Sequence, residues 1–116
     1  AGAMGRVEKP LPAMAEPNRP GKNGETPLRE AARLGRSVIA DMLMRAGADV
    51  NAALRNGQTP LLLAIRERNV DIVRALLDHG ADVHVRDSEG RGALAYATAT
   101  GLETLTVMMI EAGAES

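Results

Sequence analysis

Residues 56–84, NGQTPLLLAIRERNVDIVRALLDHGADVH, recur in this chain at a fixed spacing. Moved back by 33 positions, the window falls on NGETPLREAARLGRSVIADMLMRAGADVN, residues 23–51. Moved forward by 33, it falls on EGRGALAYATATGLETLTVMMIEAGAES, residues 89–116, with nothing inserted or lost. A short unit repeated in register cannot bury its apolar side alone. It does so by stacking on its neighbours, so the period predicts an elongated array of like units. The units divide the chain into repeats 23–55, 56–88 and 89–116.

Local signals place helices within each unit. Asn23-Gly24 and Asn56-Gly57 are turn dipeptides that tolerate positive φ. Thr26-Pro27 and Thr59-Pro60 follow, an N-cap residue and a proline suited to the first helical position. A first helix is therefore expected from Pro27 and from Pro60, with Leu28, Ala31, Ala32 and Leu61, Ala64, Ile65 as its buried stripe. It ends near Gly35 in one repeat and near Arg68-Asn69 in the next. A second helix carries Ile39, Leu43, Met44 and Ile72, Val73, Leu76, Leu77, and stops at Gly47 and Gly80. The expected core is Leu61, Ala64, Ile72 and Leu76. The fold class is all-α: three helix-turn-helix repeats linked by β-turn or hairpin loops.

The composition fits thin, closely packed layers. There is no Phe or Trp and one tyrosine, Tyr96, among 45% hydrophobic residues, so the core is aliphatic. A net charge of −1 argues against nucleic-acid binding driven by counterion release. The absence of cysteine excludes disulfides, thiol catalysis and thiolate metal sites. No apolar run approaches the roughly 18–20 residues that span a bilayer, so no membrane insertion is expected. Residues 1–22 carry four of the six prolines and no helical or strand period, and read as an extended or disordered arm. The sharper alternative is that Leu11, Pro12 and Met14 lie along the repeats and cover their first face. Residues 1–5, AGAMG, read as a tag scar, which leaves the compartment open: cytoplasmic by default, periplasmic or secreted if a leader was removed.

TPLREAARLG and TPLLLAI, each followed by GAD-V-N or GAD-V-H, resemble the ankyrin repeat. The resemblance covers 23–116 and is weaker in the third repeat, where Gly92-Ala93 replaces Thr-Pro. The histidine that the family places after the motif leucine is Arg29, Leu62 and Ala95 here. The Thr–His brace is therefore absent, and some loss of rigidity is expected. At equivalent positions Ala32 and Ile65 become Thr98, and Ala40 and Val73 become Thr106. Leu63 and Tyr96 correspond to Glu30. Polar residues at these positions are what terminal repeats need, so 23–116 is expected to be a complete unit capped at both ends. Val107, Met108, Met109 and Ile110 either pack within the last repeat or form a dimer contact.

No catalytic, metal or cofactor constellation is present in the sequence. His79 and His84 lie five residues apart across a helix break, unlike a metal pair. Ser37, Ser88 and Ser116 lack a nucleophile-elbow context, and no phosphate-binding loop occurs. Asp78, Asp82, Asp87 and Glu89 lack calcium-loop spacing and read as turn and cap acids.

The resemblance implies a non-enzymatic protein–protein interaction module that meets its partner through turn tips and the concave side of the first helices. By phase, the tips include Arg55, Asn56, Gln58, Glu89 and Arg91. The first helices contribute Arg29, Arg33 and Arg66, with Leu62 among them. Arg29, Arg33, Arg55 and Arg66 would then form a basic ridge around an apolar Leu62, suited to an acidic segment of one protein partner. The plainer reading is that these are solvated helix arginines. A regulator or inhibitor of an enzyme would fit such a module. The alternative is a structural protein self-associating through its last repeat, although a monomer is expected, with a weak dimer as the variant.

Overall fold

Thr26 and Thr59 adopt extended backbone (φ −110° and −93°), and each hydroxyl accepts the amide N–H three residues on, at 3.3 Å from Arg29 and from Leu62. These caps, with proline at the first helical position, start two of the six helices found among the described residues, 25–54 and 56–114 of the computed structural model. In chain order they are α1 (Pro27–Leu34), α2 (Ser37–Arg45), α3 (Pro60–Arg66), α4 (Val70–Asp78), α5 (Ala93–Thr100) and α6 (Glu103–Glu111). The arm, the turn dipeptide Asn23-Gly24, and Arg55 lie outside the described residues.

Each pair is an antiparallel hairpin of short helices. The first helices pack in sequence, α1 on α3 and α3 on α5, and α2 packs on α4. Gly47 (φ 100°) and Gly80 (φ 87°) follow the ends of α2 and α4 as expected, and the next amides, of Ala48 and Ala81, bond back to Leu43 and Leu76. Among the described residues the only β contact is an isolated antiparallel bridge between Arg86 and Gly92.

One aliphatic core runs the length of the stack. Leu61, Ala64, Ile72 and Leu76 are all buried, as expected, together with Leu28, Ala31, Leu43, Ala97, Leu105 and Met109. Each fully buried Leu or Ile contributes about 1.5–3 kcal/mol, so repetition substitutes for the large rings that the chain lacks. Polar bridges add register: Asn69 Nδ2 donates to the Ala32 carbonyl at 2.7 Å, and Asn51 Oδ1 accepts the Asp82 amide at 2.8 Å.

The ends differ from each other. At the last repeat Thr98 is exposed and its hydroxyl donates to Ala95 O at 3.0 Å. At the first, Glu30 is exposed and ion-paired to Arg33 at 2.8 Å. Beside it, however, Leu34, Val38, Ile39 and Met42 are exposed, so this face is polar only in part. In the last helix Met109 is buried and Met108 half-buried, while Val107 and Ile110 remain exposed.

Candidate partner-binding groove

The described tip residues before α3 and α5, Asn56 and Gln58 and then Asp87, Ser88, Glu89 and Arg91, line one concavity. Between the second and third repeats lies a groove of about 380 Å³. One wall carries Asn56, Gln58, Arg66 and Arg68, and the other Asp87, Ser88, Glu89 and Arg91. Ala95, Tyr96, Ala99 and Thr100 of α5 complete it. Small alanines in the first-helix position leave the space open.

Asp87 organises the second wall. Its Oδ1 accepts the amides of Glu89 and Arg91, both at 2.9 Å. Its Oδ2 accepts the Tyr96 hydroxyl at 2.6 Å and Arg91 Nε at 3.1 Å. These bonds, led by the one from Tyr96, hold the Asp87 carboxyl down at about 2. The Tyr96 phenol is pushed up, first by burial and then by its bond to Asp87. The Arg91 guanidinium is pushed up by its bond to Asp87 and lies 5.8 Å from the Tyr96 ring centroid. Ser88 N donates to Asn56 O at 2.6 Å, which ties the two tips together.

The first wall rests on a buried arginine. Arg29 is 2% exposed. Its Nη1 donates to the Gln58 carbonyl at 2.7 Å and its Nη2 to Gln58 Oε1 at 3.1 Å. Its Nε lies 3.5 Å from Glu25 Oε1. Burial lowers the guanidinium's pKa, with Glu25 opposing.

This arrangement corrects part of the expected ridge. Arg29 and Leu62 are buried, so neither offers a surface to a partner. Their phase faces the following repeat, and only at Ala95, with no repeat above it among the described residues, is that phase exposed. Arg29 also replaces the missing histidine brace with a strut that crosses from the first repeat to the second. Arg33 is exposed but lies outside the groove and pairs with Glu30. Arg66, Asn56, Gln58, Glu89 and Arg91 do come together in the groove, while Arg55 lies outside the described residues. Sequence reasoning did not single out Arg68, Asp87 or Tyr96 as groove residues. For Arg68 a signal existed: its phase-mates are Gly35 and Gly101.

Among the described residues no group of acidic and histidine side chains could hold a metal ion, and no helix is long and apolar enough to cross a membrane. The ankyrin-repeat family model matches residues 23–53 and 56–88, more than half of the chain. The chain belongs to the ankyrin-repeat family. Ankyrin repeats in general mediate protein–protein interaction and are typically non-enzymatic modules. The third helix pair, α5 and α6, lies beyond the matched ankyrin segments yet continues the same stack. No curated protein matches the chain.

Proposed function

We propose that this ankyrin-repeat chain binds one protein partner in the groove between its second and third repeats, through Asn56, Arg66, Glu89, Arg91 and the adjoining turn tips. The partner presents an acidic segment, and the chain acts on it as a regulator or inhibitor without chemistry of its own. The observation that carries this reading is the groove's charge balance. The groove holds three cations, Arg66, Arg68 and Arg91, and two acids, Asp87 and Glu89, but both acids already pair with Arg91, at 3.1 and 3.0 Å. Arg66 is left with a 3.4 Å contact to Glu67, at the surface. Positive charge thus remains open on one wall, beside small apolar residues, where an incoming carboxylate gains paired hydrogen bonds.

Capture of partners from the native host, with the wild-type chain and with Arg66→Glu in parallel, tests this. A protein held by the wild type and lost by the variant supports the groove. Equal retention removes the groove from consideration. A second reading, self-association through the last repeat, is favoured by the exposure of Leu102, Val107 and Ile110. Light scattering across concentration separates the two, because a mass fixed at one chain excludes self-assembly.

A further inference from the structure

Among the described residues Arg68 alone, apart from glycines, has positive φ, at 61°. Its equivalents in the other repeats are Gly35 at 74° and Gly101 at 76°. The turn between the two helices therefore demands left-handed backbone in every repeat. Two repeats meet that demand with glycine, which has no Cβ to clash, and the middle repeat meets it with arginine. A non-glycine residue there costs roughly 1 kcal/mol or more.

The fold gains nothing visible in return. Arg68 N donates to Ile65 O at 2.9 Å, a bond that glycine would make equally well. The side chain is exposed, and among the described residues it makes no ion pair or hydrogen bond. It lines the groove on the wall of Arg66, across from Arg91, whose charge is already matched by Asp87 and Glu89. The least compensated cation of the groove thus sits on the most strained backbone of the second repeat.

We propose that Arg68 is the residue that sets the groove's specificity: its guanidinium takes an Asp or Glu carboxylate of a bound polypeptide segment whose neighbouring residues lie over Ala95 and Ala99. This rests on the groove reading above and makes a demand of its own, that binding and stability respond oppositely at position 68. Arg68→Gly relieves the strain, so its Tm equals or exceeds that of the wild type. The same change removes the carboxylate's partner.

The test is selection of a displayed library of random 12-residue peptides on the wild-type chain, on Arg68→Gly and on Ala99→Tyr, which fills the groove. The wild type is expected to enrich Asp- and Glu-containing peptides. Arg68→Gly is expected to bind those peptides at least about tenfold more weakly, and Ala99→Tyr to lose them. Undiminished binding by Arg68→Gly, with loss in Ala99→Tyr, overturns the role of Arg68 and leaves the groove standing. Undiminished binding by Ala99→Tyr overturns the groove itself. Wild-type selection without acidic enrichment, or a lower Tm for Arg68→Gly, also overturns the proposal.

Discussion

Arg29→Met is the substitution that most directly probes how the first two repeats are held together. The guanidinium is 2% exposed and reaches both the backbone carbonyl and the side-chain oxygen of Gln58, at 2.7 and 3.1 Å. Methionine keeps most of the stem's packing and removes the donors. A hydrogen bond from a charged donor is worth about 1.5–3 kcal/mol, and the abandoned acceptors keep their desolvation penalty. Against this stands the release of a buried cation, which is itself costly to hold. Removing one member of such a buried pair usually costs about 3–5 kcal/mol. Glu25 is one-third exposed and can turn to water, which places the expected cost at the lower end, about 3 kcal/mol.

The described domain has about 90 residues, for which a net stability of roughly 5–13 kcal/mol is ordinary. A loss of about 3 kcal/mol is thus a large fraction of the total. With a urea slope of about 1.5 kcal/mol per M, the midpoint falls by about 2 M. Far-UV circular dichroism follows it well in an all-helical chain. Because the pair is buried, the loss should persist in high salt. Arg29→Ala adds the loss of the stem and should be worse. A midpoint for Arg29→Met within about 0.3 M of wild type, roughly 0.5 kcal/mol, would refute the argument: Arg29 would then be packing material and its hydrogen bonds would contribute no net stability.

Three other outcomes follow from the same contacts. Ile72→Ala should cost about 2–5 kcal/mol, whereas Ile39→Ala, at the equivalent but 41% exposed position, should cost under about 1; equal costs in urea titrations would show that something covers the first face. Because the Asp87 carboxyl is held at about 2 against an ordinary 3.8, the stability it contributes is complete above about pH 4 and is lost as pH falls towards 2. A series of Tm values against pH should show this, and Tyr96→Phe, which removes the leading bond, should shift the acid loss to higher pH. Asn69→Ala leaves the Ala32 carbonyl without its 2.7 Å donor and should lower stability by about 1 kcal/mol, again read from urea unfolding.

The period made the architecture legible because it is read three times over. Thr26, Thr59, Gly47 and Gly80 each act locally, through caps and left-handed turns, and a local signal survives any tertiary context. The groove was legible only in part, and the errors share a cause. Arg29 looked like a surface cation because arginine seldom goes inside. What buries it is a neighbouring repeat whose Gln58 offers two acceptors, a pairing that no single-repeat pattern encodes. Leu62 shares that phase and is likewise covered, so residue type misled at one position and face assignment at both. Comparison along the period alone does not resolve it, since Arg29, Leu62 and Ala95 put a charged, an apolar and a small residue in one place in the fold. The same comparison at Gly35, Arg68 and Gly101 separates what the turn requires from what the second repeat adds to it. In a repeat protein the neighbouring units supply the reference state: a residue that breaks phase at a cost to the fold, and gains no contact from it, is where function should be sought first.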